Sequence, residues 1–132
     1  MQEPIPMETL YRENILDHYK NPRNYGTLLP FTSKNKIYNP TCGDEIELFV
    51  FIDKHRINDV RFRGHGCALS MAAASMLTEK IKHLTIQEVS SLKADDVFTM
   101  LGVNVSGSRV RCATLALVCL QGGLDHESPH HS

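Results

Sequence analysis

Apolar and polar positions follow two different periods along this chain, and each predicts its own kind of element. Met7, Leu10, Tyr11, Asn14, Ile15 and His18 recur at three- and four-residue steps, so residues 7–19 read as an amphipathic helix. Pro6 suits its first position, and Asn21-Pro22 stops it, because proline disfavours a helical residue before itself. Period two takes over at 45–53, where Glu45, Ile46, Glu47 and Leu48 alternate; this predicts a strand with one wet face. Residues 57–63 repeat the pattern, with Val60 and Phe62 opposite Arg61 and Arg63. A turn at 53–56 joins the two into an antiparallel hairpin. Residues 36–38 predict a shorter strand ending at Asn39-Pro40.

After Gly64-His65-Gly66 the helical period returns. Residues 67–83 contain no breaker, and Ala68, Ala72, Ala73 and Ala74 would let such a helix lie close to a sheet. Thr85-Ile86-Gln87-Glu88 has the form of a capping box for a short helix. Residues 94–101 predict another, stopped by Gly102, and Ser108 is placed to cap a last helix reaching Leu120, closed by Gly122-Gly123. Helix, strands, then helices gives an α+β fold with helices on one face of a small antiparallel sheet. The expected organisation is a lead at 1–6, one domain at 7–124 and a polar tail at 125–132 holding His126, His130 and His131.

A chain of 132 residues, 42% hydrophobic and 22% charged, can bury a single core without disulfides. Lysine plus arginine number 14 and aspartate plus glutamate 15, so no basic excess argues for nucleic acid. No apolar run approaches the roughly 18 residues of a membrane span, and the start lacks a secretory pattern. A cytoplasmic location is the default expectation. There the four cysteines stay reduced and favour metal or redox roles.

Three of those cysteines stand where chemistry is expected. In Cys42-Gly43-Asp44 an extended backbone would turn thiolate and carboxylate to one side; read alone, the tripeptide equally fits a polar turn. Cys67 falls at a predicted helix start, whose unpaired N–H groups favour thiolate, though a buried cysteine is the plain alternative. Cys112 falls in the first turn of the last helix, where the same dipole argument applies, strengthened by the neighbours Arg109 and Arg111. Cys119 lies two helical turns further, about 10 Å along an axis, and reads as core. Soft thiolates select zinc, copper(I) or iron–sulfur centres. No C-x-x-C pair is present, so a structural zinc staple is disfavoured, and a carboxylate among thiolates suggests exchangeable cargo. His65 reads as a turn residue and His18 as structural.

Four stretches then carry a resemblance. Asp17-His18-Tyr19-Lys20-Asn21-Pro22-Arg23-Asn24, Asn39-Pro40-Thr41-Cys42-Gly43-Asp44, the run from Gly66 to Ser75, and Arg109-Val110-Arg111-Cys112-Ala113-Thr114-Leu115 together resemble the IscU/NifU/SufU-type iron–sulfur cluster assembly proteins. The resemblance spans about Met7 to Gly123. It implies an IscU-like fold with a three-stranded antiparallel sheet and a site of Cys42, Asp44, Cys67 and Cys112. It also implies a transient [2Fe-2S] cluster or Zn2+ as cargo and Cys112 as persulfide acceptor. The partners implied are a pyridoxal-phosphate cysteine desulfurase and downstream iron–sulfur carriers or apo-proteins. Arg111 resembles the SufU branch, since IscU-type scaffolds usually carry histidine there. The SufU insertion between the second and third cysteines has no room in the 45 residues from Cys67 to Cys112 (112 − 67). Nor is there a Leu-Pro-Pro-Val-Lys chaperone motif; the loop reads Val103-Asn104-Val105-Ser106-Gly107. A cluster scaffold and sulfur acceptor is therefore the leading expectation, with a zinc-dependent sulfurtransferase second.

Overall fold

The computed structural model describes residues 6–124; most of the expected lead and the whole of the expected tail lie outside these residues. The elements run α1 (Met7–Lys20), β1 (Ser33–Asn39), β2 (Asp44–Asp53), β3 (Arg56–His65), α2 (Ala68–Ile81), α3 (Ile86–Ser90), α4 (Ala94–Leu101) and α5 (Arg109–Leu124). The strands form one antiparallel sheet in the order β1-β2-β3. Lys54 and His55 both adopt left-handed angles (φ 52° and 65°) between the paired residues Asp53 and Arg56, the two-residue turn that matches strand twist.

One sheet face carries Ile46, Leu48, Val50, Val60 and Phe62, all buried. Leu48 faces Phe62 and Val50 faces Val60 across the β2–β3 ladder. Burying a side chain such as Phe62 contributes about 1.5–3 kcal/mol. Helices α2 and α5 pack against each other, α2 also against β3 and α5 against β1 and β2, while α1 packs on α2. Every α2 residue from Ser70 to Thr78 is buried, which the small side chains of Ala72, Ala73 and Ala74 permit.

The α+β architecture expected from the pattern is the one observed, and the Thr85–Glu88 capping box is complete. Helix α4 ends at Gly102, with φ 72°, as expected. Four details differ. Pro6 is the N-cap residue rather than the first helical one, and its carbonyl accepts from the N–H groups of Thr9 and Leu10. Strand β1 is longer because β2 extends it by pairing, from Ser33↔Val50 to Asn39↔Asp44. The outer face of β2 is not fully wet, since Glu47 is ion-paired with Arg63 and Phe49 lies under Phe31 and Arg63. Helix α5 runs through Gly122-Gly123 to Leu124. These glycines admit β1: a Cβ would come within 3.0 Å of Asn35 at either one. Ser33 Oγ donates to Gly123 O and Asn35 Nδ2 to Cys119 O, closing the seam.

Candidate functional site

Three chain segments meet at one end of the sheet: the β1–β2 turn, the start of α2 and the start of α5. Strand parity puts Asn39 and Asp44, a cross-strand pair, on the same face as Ile37 and Ile46. Between them the turn closes with Gly43 N–H donating to Asn39 O, and Gly43 takes a left-handed φ of 77°. Asn39 is buried. Its Oδ1 accepts from Thr41 N–H at 3.1 Å and its Nδ2 donates to Cys42 Sγ at 3.0 Å, so one amide shapes the turn and aims the sulfur.

Asp44 is the pivot, with 2% of its surface exposed. Its Oδ1 accepts from Cys67 N–H at 3.1 Å. Its Oδ2 lies 3.2 Å from Cys42 Sγ and 3.8 Å from Cys67 Sγ. Gly66 makes room for the carboxylate, since a Cβ there would sit 2.6 Å from Asp44 Oδ1 and 2.7 Å from Ser70 Oγ. Cys67 is the N-cap of α2; its sulfur accepts from Ser70 N–H at 3.5 Å while Ser70 Oγ donates to Cys67 O. From α5, Cys112 brings its Sγ to 3.5 Å from Cys42 Sγ.

The four residues singled out from the sequence thus occupy one end of the molecule, though unequally. The ligand atoms of Cys42, Asp44 and Cys112 all lie within 4.8 Å of one another. Cys67 stands beside this group, joined through Asp44. Cys42 and Cys67 are exposed and Cys112 is buried. The other expectations resolve cleanly. Cys119 is fully buried, with its Sγ against Asn35 O and Ile46 O, and burial pushes its thiol up to about 12. His65, expected in a turn, is instead the last residue of β3, paired with Glu45; it is exposed and faces Glu45 Oε2 at 3.3 Å rather than a sulfur. His18 is buried and bonded to Ser75. Asn39, Ser70 and Gly66 were assigned no role from sequence. The Asn39-Pro40 dipeptide carried a turn signal for the first; nothing local marked the other two, whose contacts come from the approach of α2 to Asp44.

Electrostatics corrects one expectation. A helix start with flanking arginines was expected to favour the Cys112 thiolate. Instead burial pushes the Cys112 thiol well above its usual range, and the hydrogen bond with Cys42 and the nearness of Cys67 and Asp44 push the same way. Arg109 and Arg111 are exposed and do not offset this. Burial also raises Asp44, but hydrogen bonds from Cys42, Cys67 N–H, Cys112 and Ser70 outweigh it and hold the carboxyl below its ordinary value. The cluster sets a carboxylate beside a Cys112 thiol that prefers to stay protonated, and a cation among these atoms would reverse that preference by drawing the proton off.

The donor set fits such a cation. Around tetrahedral zinc, Zn–S and Zn–O bonds of about 2.3 and 2.0–2.2 Å imply S···S edges of about 3.8 Å and S···O edges of about 3.5 Å. The separations here are 3.5 Å for Cys42–Cys112 and 3.2 and 3.8 Å from Asp44 to the sulfurs of Cys42 and Cys67. An open pocket lined by Asn39, Thr41, Cys42, Ser108, Arg111 and Cys112 gives access from solvent.

Fold and site together define a small α+β domain with a thiol–carboxylate cluster assembled from three segments. The chain belongs to the NifU-like N terminal domain family, whose model matches residues 10–127. It is 37% identical to the zinc-dependent sulfurtransferase SufU of Bacillus subtilis over 92% of this chain and 93% of that protein. It is also 37% identical to the iron–sulfur cluster assembly scaffold protein IscU of Aquifex aeolicus, over 83% of this chain and 71% of that one. Among solved structures, a putative iron–sulfur cluster assembly scaffold protein of the SUF system from Fervidobacterium islandicum superposes with a TM-score of 0.77 at 27% identity. That match covers 90% of this chain and 99% of the other.

Proposed function

We propose that this protein is a scaffold and sulfur acceptor for iron–sulfur cluster assembly. It receives persulfide sulfur from a pyridoxal-phosphate cysteine desulfurase at Cys112. It holds a [2Fe-2S] cluster, its cargo, on Cys42, Asp44, Cys67 and Cys112 before release to a carrier or apo-protein. The observation that carries this reading is the convergence of Cys42, Asp44 and Cys112 within 4.8 Å, with Cys67 on the same carboxylate. Transfer is thiol exchange: Cys112 gives up its thiol proton as its sulfur attacks the outer sulfur of the desulfurase persulfide, forming one S–S bond as another breaks, and the departing desulfurase sulfur takes up a proton in turn. The open pocket beside Arg111 admits that persulfide. All four cysteines are free, in keeping with a reducing compartment such as the cytoplasm. Among the described residues no helix is long and apolar enough to cross a membrane.

A second reading has its own support. The Cys42–Asp44–Cys112 group is the size of one ion, and the chain is 37% identical to a protein named as a zinc-dependent sulfurtransferase. Elemental analysis of anaerobically purified protein, beside a reconstitution spectrum, separates the two. Iron and sulfide uptake with a cluster absorbance supports the scaffold. Zinc near one per chain, no iron uptake and stimulation of the desulfurase support the sulfurtransferase. For the scaffold, Asp44→Ala replaces the hard, labile ligand and lengthens the life of the bound cluster; unchanged or faster loss of absorbance counts against Asp44 as the release point.

A further inference from the structure

Sulfur arrives on a persulfide as sulfane sulfur, whereas a cluster is built from sulfide, so two electrons must enter somewhere. The site holds a thiol pair placed to supply them. Cys42 Sγ is 3.5 Å from Cys112 Sγ, inside the group whose ligand atoms lie within 4.8 Å of each other. Asn39 Nδ2 and Asp44 Oδ2 flank the Cys42 sulfur at 3.0 and 3.2 Å and aim it toward Cys112. Cys67 is not part of that group; its sulfur is engaged by Asp44 and by Ser70 at the N-cap of α2. Cys119 is sealed in the core.

We propose that Cys42 is the resolving thiol of the site: it attacks the inner sulfur of a Cys112 persulfide, releases sulfide and leaves a Cys42–Cys112 disulfide. This rests on Cys112 being the sulfur acceptor. The Cys42–Cys112 bond forms as the bond from Cys112 Sγ to the sulfane sulfur breaks. The sulfane sulfur takes the electron pair and leaves as hydrosulfide, a low-pKa leaving group. The Cys42 thiol proton passes to Asp44 Oδ2 and on to the departing sulfur, so persulfide plus thiol yields disulfide plus hydrogen sulfide. The sulfane sulfur is reduced and the two cysteine sulfurs are oxidised. A dithiol reductant then reopens the disulfide for the next round. Within this scheme Asp44 and Asn39 are positioning residues and the cysteine pair is the reductant.

The test uses the full chain, reduced and freed of metal by chelation, under anaerobic conditions without added reductant. One arm supplies sulfur with a cysteine desulfurase and cysteine, and a second with glutathione persulfide. Released sulfide is measured, and alkylated protein is mapped by mass spectrometry. In both arms the wild-type chain is expected to release sulfide and lose two hydrogens in a Cys42–Cys112 cross-linked peptide. Cys42→Ser is expected to keep one extra sulfur on Cys112 and to release sulfide at least about tenfold more slowly. Cys119→Ala, whose sulfur is sealed in the core away from the site, should behave as the wild type. Persulfide persisting on Cys112 of the wild type, sulfide release unimpaired in Cys42→Ser, or the extra sulfur appearing on Cys42 in place of a disulfide would overturn the proposal. If the persulfide arm yields disulfide and sulfide while the desulfurase loads no variant, the resolving step stands and the desulfurase partnership falls.

Discussion

Helix α2 carries two polar clusters, one at its first turn and one a turn and a half further on, and they are built on opposite plans. In the lower cluster Ser75 Oγ meets His18 Nδ1 at 2.8 Å and accepts from Arg23 N–H at 2.8 Å, while Asn24 Nδ2 donates to Thr78 Oγ1. Strong donors and acceptors there match one for one and tie α1 and the following loop to α2. In the upper cluster Ser70 serves Cys67, and three thiols crowd a single carboxylate with Asn39 Nδ2 and the N–H groups of Cys67 and Ser70 as the main strong donors. Among the described residues no buried side-chain polar atom lacks a partner, so both clusters are satisfied. The difference lies in what satisfies them. A seam of nitrogen and oxygen bonds is complete without anything added, whereas weak thiol donors around a carboxylate hold positions a cation can take over. The lower cluster is built in a way that suits stability, the upper one in a way that suits exchange.

Breaking the upper cluster should affect ligand binding far more than folding. Cys112→Ser is expected to weaken zinc binding by at least about 100-fold, because losing a ligand exceeds the 10- to 100-fold typical of losing a supporting partner. The melting temperature of the metal-free protein should shift little. Competition titration against a chromophoric chelator, with thermal unfolding alongside, reads both. An equal loss of stability and affinity would erase the distinction between the clusters.

The converse substitution belongs to the lower cluster. Ser75→Ala leaves Arg23 N–H and His18 Nδ1 without their shared oxygen, at a site with no exposed surface. The expected cost is about 2 kcal/mol, measured as a lower urea midpoint at unchanged slope. Zinc affinity should stay within a few-fold of the wild type.

Asn39→Ala sharpens the comparison from a residue outside the ligand set. Without the amide, Cys42 Sγ loses its 3.0 Å donor and the turn loses its bond to Thr41. Zinc affinity should fall about tenfold, the range for a residue that orients a ligand. Asn39→Asp, which keeps the turn acceptor but not the donor, should restore the turn without restoring the affinity.

How much of this was legible beforehand follows the range of the interactions. The Thr85–Glu88 box and the Gly102 stop are set within four residues of themselves, and both were readable. The ends of β1 were not, because pairing with β2 defines them. Gly122-Gly123 reads as a terminator yet serves close approach to Asn35, a contact between residues far apart in the chain. Cys42, Asp44, Cys67 and Cys112 were legible as residue types beside glycines and helix starts. Their proximity, and the protonated preference of Cys112, belong to burial that no local pattern encodes. Gly66 and Ser70 acquire their contacts with Asp44 because β2 brings that carboxylate to the start of α2.

The smallest expected effect probes the lower cluster by pH. Burial pushes the His18 pKa below its usual value, with the Arg23 charge acting the same way and Glu79 and Asp17 opposing. The folded state therefore keeps this ring neutral at a pH where the unfolded chain already binds a proton. Below about 6.5 the unfolded state carries the extra proton, so stability falls with pH until the lower folded value is reached, and is complete above that window. The depressed carboxyls of Asp17, Asp44 and Glu45 lose their contributions only at more acidic pH. Comparing urea midpoints of the wild type and His18→Gln across this range isolates the ring. The wild type's advantage should shrink as pH drops below about 6.5 and then level off, whereas parallel pH curves would mean that His18 titrates alike in both states.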